Sequence, residues 1–391
     1  MKNLKYSIRI ITSLMVLQLL CSCDVKAKTT DKEVAENVTE NAVSVTTDEV
    51  KIAILLDVSG SMNGLIEQAK SQLWDIVNKF SGIKTSTDGQ PKLQIALYEY
   101  GSDSYAYKGH IHQIQGFTSD LDDISEKLFS LQTSGSEEYC GQVIQTSLDD
   151  LDWGEKKDKL KMIFIAGNEP FTQGEVNYTQ AILNSKNKGI VVNTIFCGNY
   201  NEGVSGSWKS GAQIGGGEYI AIDHNKKVVH IYTPYDEEIM ELNRKLNKTY
   251  VSYGSKGVAK KEKQISQDSN AQEMEEAVMI KRAVSKSSRL YKNKSWDLVD
   301  AADDKEFEIA SINKKTLPAE IKDKSSAEIE AYVKEKKAKR IEIQKEIKEI
   351  DQKRKAFITK NQKESSKGEL ENAMNTAIEK QARAKNYKWS K

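Results

Sequence analysis

The chain has 391 residues, enough for one sizeable domain with additions. At 38% hydrophobic and 29% charged it is less apolar than a typical globular chain, so the deficit should lie outside a core domain. The formal net charge of +1 gives no general electrostatic case for nucleic acid as a partner.

The N-terminus reads as a targeting segment. Lys2, Lys5 and Arg9 form a basic region, and Ile10 to Leu20 is an apolar run too short for a comfortable membrane span. The run ends in Leu20-Cys21-Ser22-Cys23, which resembles the bacterial lipobox, with a Leu three residues before the acylated Cys and a small residue just before it. Cys23 fits that pattern, whereas Cys21 would put Gln18 at the Leu position. Residues 1–23 are therefore expected to be a lipoprotein signal peptide, with acylation at Cys23. The alternatives are an ordinary cleaved signal and an uncleaved anchor. Residues 24–48 lack aromatic residues and are rich in Lys, Thr, Glu, Asn and Val, as a flexible tether would be. This implies a bacterial cell-envelope protein, facing the periplasm or the cell surface and held to the membrane by its lipid.

Ile52 to Leu56 is a short, non-alternating apolar run, the pattern of a fully buried strand. It breaks into Asp57-Val58-Ser59-Gly60-Ser61, and a helical stripe of Leu65, Ala69, Leu73, Val77 and Phe80 follows. A carboxylate and two hydroxyls at alternate positions then leave the carboxyl end of a strand, where open α/β sheets bind ligands. Such hard oxygen donors suit Mg²⁺, Mn²⁺ or Ca²⁺. The alternative is an ordinary Asx/Ser turn capping the helix.

This Asp-x-Ser-x-Ser resembles the metal-ion-dependent adhesion site (MIDAS) of the von Willebrand factor A family, and the order of later elements is similar over Glu49 to Tyr253. The resemblance implies a doubly wound, mostly parallel α/β sheet. It also implies a metal left undersaturated, so that a protein partner's Asp or Glu completes its shell.

The later elements follow in order. Leu93 to Tyr100 is a strand, His110 to Phe117 alternates like a half-buried edge strand, and Ser119-Asp120 opens a helix. The loop from Thr133 to Gly141 precedes a stripe of Val143, Ile144, Leu148 and Leu151. Most relatives carry a metal-binding Thr in this loop, and some carry an acidic residue in a Gly-rich loop. Glu137 and Glu138 are the acidic candidates here, and Thr133 and Ser136 the hydroxyl ones. The glutamates could instead simply favour the helix N-terminus. Leu160 to Ala166 is a central strand, which relatives follow with Thr-Asp-Gly. Here Gly167-Asn168-Glu169 stands in its place, leaving Asn168 or Glu169 to substitute and implying weaker cation binding. Asn177 to Lys188 is a helix, Ile190 to Cys197 a strand, and Trp208 to Ile220 a helix-to-strand turn. Asp236 is expected to cap a closing helix that runs to Thr249. In an oxidising compartment Cys140 and Cys197 are candidates for a disulfide, against two buried free thiols.

After Gly254 strands disappear, and residues 254–391 read as a separable helical region. Ala271 to Tyr291 predicts a helix, and Trp296 a docking point. Ser325 and Glu328 have capping-box spacing at the start of a long helix. Its seam of Ile329, Val333, Ile343, Ile347, Ile350 and Phe357 is interrupted by Lys336, Arg340 and Arg354, a weak coiled-coil pattern. Ser366 and Glu369 open a last helix, expected to fold back on the long one as a hairpin.

These features favour a non-enzymatic envelope protein that binds another protein through a metal. A helical scaffold with a degenerate metal site is the alternative. An envelope hydrolase has less in its favour: of the four histidines only His110 and His112 have a spacing a metal could use, and no His-Glu-x-x-His occurs.

Overall fold

A computed structural model describes residues 48–225, 230–361 and 369–389. The expected signal segment with Cys23, tether residues 24–47 and Ser366 lie outside the described residues. Within β1 (Glu49–Asp57), Val50, Ile52 and Leu56 enter one apolar core and Ala53 and Leu55 another. Successive side chains of a strand point to opposite faces, so a run without polar alternation needs cover on both sides.

That cover comes from the elements on either side of the sheet. In chain order they are α1 (Asn63–Ser81), β2 (Ile83–Lys84), β3 (Lys92–Tyr100), β4 (Ile111–Thr118), α2 (Leu121–Phe129), α3 (Cys140–Asp150), β5 (Lys161–Gly167), α4 (Tyr178–Asn187), β6 (Val191–Cys197), α5 (Tyr200–Ser205), α6 (Trp208–Gly215), β7 (Gly216–Ile222) and α7 (Asp236–Asn247). The main sheet has the order β4-β3-β1-β5-β6-β7, with only β4 antiparallel. Buried residues of α3, α4 and α6 fill the core on one face, and those of α1, α2 and α7 the core on the other. The carboxyl ends of β1 and β5, next to each other, bring Asp57 and Gly167 to one edge.

The composition break after Gly254 is not a domain boundary. Thr46–Lys391 is one compact unit. The remaining elements are α8 (Gly257–Met274), α9 (Glu276–Lys286), α10 (Leu298–Ala301), α11 (Ser326–Asn361), α12 (Glu369–Ala384) and β8 (Lys388–Trp389). Val278, Ile280, Ile347, Met374 and Ile378 share one core with β1 and α1. β8 pairs with β2, which ties the last described residues to the end of α1.

The expected hairpin is not formed. α11 packs on α7 and α9, whereas α12 packs on α1 and β7. The basic residues that interrupt the seam of α11 explain this, since each reaches the sheet domain. Lys336 donates to the Lys248 carbonyl, Arg340 to Thr249, Asp297 and Asp300, and Arg354 to Asp236. The capping box at Ser325 and Glu328 does form, with Ser325 N–H donating to Glu328 at 2.8 Å and Glu328 N–H to Ser325 at 3.3 Å. Trp296 is buried against Tyr250, as a docking residue should be. Asp236 does not cap α7; it accepts from Thr233 and Arg354 instead.

The helix expected over Ala271 to Tyr291 starts earlier and breaks at Glu275, whose backbone is extended. Its first half, α8, is held by polar contacts. Lys260 pairs with Asp120 and Asp123, and Lys263 with Asp123 and Glu126, all on or capping α2. Beneath these, fully buried Arg282 and Lys286 share Asp268. The two lysine and arginine charges hold the Asp268 carboxyl well below the usual carboxylate range, against the opposing effect of burial. Below its unfolded value this carboxyl is protonated in the unfolded chain first, so its contribution, present at neutral pH, is lost as the pH falls towards its depressed folded value.

Cys140 and Cys197 are not joined; both are free and buried. They belong to the cores on opposite faces of the sheet, so a bridge would have to pass through it. Burial pushes both thiols well up from their ordinary pKa. Peptides bearing Cys140 and Cys197 should therefore resist a thiol reagent in the folded protein. Both should label after denaturation without reductant; a disulfide-linked peptide pair would contradict the structure. No helix among the described residues is long and apolar enough to cross a membrane.

Candidate metal centre

Asp57 is the last residue of β1 and is fully buried. The chain then turns sharply: Met62 N–H donates to the Ser59 carbonyl at 3.0 Å, and α1 begins at Asn63. The turn leaves Asp57 Oδ1 accepting from Ser59 N–H at 2.7 Å. Asp57 Oδ2 is buried without a hydrogen-bond partner. The Ser59 and Ser61 hydroxyls lie 3.4 Å apart on the same loop, and Asn168 donates to Ser61 Oγ at 3.3 Å. These four residues, from two loops at one sheet edge, converge as their pattern predicts.

The third loop is locked in by backbone bonds. Ser134 N–H donates to Val58 O at 2.7 Å, and Gly60 N–H to Gly135 O at 3.1 Å. Its two glutamates diverge. Glu138 is buried beside Asp57 and accepts from Glu169 N–H at 3.2 Å, whereas Glu137 accepts from the Tyr139 hydroxyl at 3.0 Å. Thr133 donates to Asn63 at 2.6 Å, and Ser136 is exposed. Glu169 contributes its backbone, donating to Glu138 and accepting from Trp208. The histidines do not form a second centre. His112 meets Glu99 at 3.0 Å under the Tyr105 ring, and His110 faces Asp103 at 3.6 Å.

Burial, and next the neighbouring Glu138, push the Asp57 carboxyl well above its ordinary range; the bonds from Ser59 only partly oppose this. Among the described residues neither carboxylate is ion-paired with a Lys, Arg or His. Two buried acids without a basic partner, one carrying an orphaned oxygen, make a local deficit of positive charge. Also among the described residues, no group of three or more His, Cys, Asp or Glu is placed to hold a metal. The donors here are instead two carboxylates, two hydroxyls and an amide. Asn168 Oδ1 is itself buried without a partner, and a half-turn of the amide would bring it round to Ser61. This all-oxygen set fits a hard divalent cation.

Residues around the centre carry no motif of their own. The Tyr100 hydroxyl donates to the Ala166 carbonyl at 2.8 Å beneath Asp57, tying β3 to β5. A Cβ at Gly167 would stand 2.4 Å from that hydroxyl. Gly135 has φ +96°, and a Cβ there would stand 2.2 Å from the Gly101 carbonyl. Only a strand-by-strand model could have revealed them, because each acts through close approach rather than residue chemistry. Gly135→Ala should destabilise the fold by about 2 kcal/mol or more, read from urea melts, since it adds both a positive-φ penalty and a backbone clash. An unchanged midpoint would show that the third loop does not sit as described.

Residues 51–204 match the family model of the von Willebrand factor type A domain. No curated protein matches the chain. Three solved structures illustrate what it is similar to. Conserved hypothetical protein BatB from Bacteroides thetaiotaomicron is 18% identical, over 44% of this chain and 90% of that one, with a TM-score of 0.35. An aerotolerance-related membrane protein from Bacteroides fragilis, carrying multiple mutations to serines, is 18% identical over 45% and 93%, with a TM-score of 0.31. Proximal thread matrix protein 1 from the mussel byssus, with a zinc-occupied MIDAS motif, is 18% identical over 50% and 44%, with a TM-score of 0.36.

Proposed function

We propose that this von Willebrand factor type A domain protein is a cell-envelope lipoprotein, not an enzyme, that binds a protein partner through a divalent cation. The observation that carries the reading is the orphaned, buried Oδ2 of Asp57 beside Glu138, with no basic side chain among the described residues paired to either. Asp57, Ser59 and Ser61 present their oxygens from one loop, Asn168 would add its own from a second after a half-turn of its amide, and Glu138 adds a second negative charge from a third. A bound Mg²⁺, Mn²⁺ or Ca²⁺ would supply the missing positive charge and attract a carboxylate of the partner. Asp57 and Glu138 together would balance the charge of a divalent ion, and the neutral donors Ser59 and Ser61 would leave its shell incomplete, so the partner's Asp or Glu would enter at an open coordination position.

The envelope part of the reading rests on Leu20-Cys21-Ser22-Cys23 and the apolar run before it. The helical region is less suited to a free scaffold arm, because much of its apolar surface is spent on the sheet domain.

Crosslinking in the native envelope tests the proposal, with the wild type and Asp57→Ala each treated with and without EDTA. A crosslinked product should form in the wild type, and be lost both on chelation and in the variant. A product that persists in all four samples would place partner binding elsewhere on the surface.

A further inference from the structure

We propose that the amino-terminal edge of the sheet, opposite the metal centre, holds an anion site of the phosphate class built on Lys51 and Lys161. The two lysines are register partners on the parallel strands β1 and β5, so their side chains leave the same face roughly 5 Å apart. Both are buried, at 8% and 3% exposure, which is rare for lysine. They line one pocket of about 330 Å³ walled by Trp153 and Gly154.

Lys161 Nζ donates to the carbonyls of Gly154 at 2.7 Å and Lys188 at 3.3 Å. No ion pair to a carboxylate is formed by Lys161 among the described residues. An ammonium has three donors, so one is left over for the pocket. Lys51 Nζ donates to the Asp152 carbonyl at 2.6 Å and has only long ion pairs, to Glu49 at 3.6 Å and Asp152 at 3.8 Å. Burial, then the charges of Lys51 and Lys385, lower the Lys161 pKa, and Asp158 and Asp152 only partly oppose this.

The other charges in the pocket are largely spoken for. Lys159 is bonded to Asp48, leaving Lys156 and Glu155 on the wall. Glu155 opposes an anion. A tetrahedral oxyanion can take a charge-assisted hydrogen bond from each buried ammonium at once and brings the negative charge that a carbonyl lacks. The same chemistry could come from free phosphate or from the headgroup of an anionic phospholipid. This inference is independent of the metal reading, since it uses other residues at the other end of the strands.

Thermal melts of the purified protein test it, with inorganic phosphate as the probe and chloride at equal ionic strength as the control. Two short-chain lipids below their micelle concentration, dihexanoyl phosphatidylglycerol and dihexanoyl phosphatidylcholine, form the second arm. Phosphate, the phosphatidylglycerol or both should raise the midpoint, and Lys161→Gln should weaken the response about tenfold or more in concentration. Glu155→Gln, a change on the pocket wall, should strengthen it. A response to phosphatidylglycerol alone assigns the lipid headgroup, and one to phosphate assigns the free ion. No response beyond the controls, or equal responses from the wild type, Lys161→Gln and Glu155→Gln, would overturn the site.

Discussion

Ending the chain after Tyr253 is expected to give protein that is insoluble or lacks fixed tertiary packing. The truncation removes Val278, Ile280, Ile347, Met374 and Ile378 from the core they share with β1 and α1, leaving one face of the sheet part bare. It also removes Arg282 and Tyr291, the partners of the buried Asp122 carboxylate that stays behind on α2. A single change should show the same dependence. Arg340, at 3% exposure, bonds Asp297 at 2.6 Å and Asp300 at 3.0 Å and lies 4.0 Å over the Tyr250 ring. Arg340→Ala leaves two neighbouring carboxylates buried without it, and should cost about 3–5 kcal/mol in urea unfolding. Near-ultraviolet circular dichroism of the truncated chain is the simplest check. A cooperative melt with native tertiary signal would show that the helices are an appendage after all.

The second large effect is opposite in sign. Without added cation, Asp57→Asn should be more stable than the wild type by about 1 kcal/mol or more at neutral pH. The raised pKa of Asp57 sets the sign. Below the ordinary carboxylate range both folded and unfolded chains hold the proton, and the carboxyl costs nothing. As pH rises towards the elevated folded value, the unfolded chain ionises first and stability is lost. An Asn amide keeps an oxygen for Ser59 N–H and can donate to Glu138, turning a repulsion into a hydrogen bond. The gain should be largest at neutral pH and vanish near pH 3. A wild type as stable as the variant throughout, in the presence of EDTA, would mean that the two acids do not oppose folding.

The parallel sheet and the loop at Asp57 were legible because apolar runs and the Asp-x-Ser-x-Ser spacing are local. What lay hidden was carried by polar burial and distance in sequence. α8 shows no apolar stripe, since Gln264, Gln267 and Asp268 make up much of its buried face. Arg340 and Arg354 looked like breaks in a helix seam and are instead the points where α11 is fastened. Glu137 and Glu138 could not be told apart, because adjacent residues point in different directions once Gly101 pairs with Glu137. The disulfide expectation failed because which face of the sheet a cysteine enters is set by helix packing as well as strand phase.

Whether Asp57 organises a cation site is tested most directly by a Mn²⁺ titration followed by electron paramagnetic resonance. Free Mn²⁺ gives a sharp signal that is lost on binding, so the bound fraction is read without any partner present. The wild type should bind one ion saturably, Ser59→Ala and Ser61→Ala more weakly, and Asp57→Asn not at all while that variant stays folded. Equal binding by the wild type and a folded Asp57→Asn, or no binding by either at millimolar Mn²⁺, would contradict it.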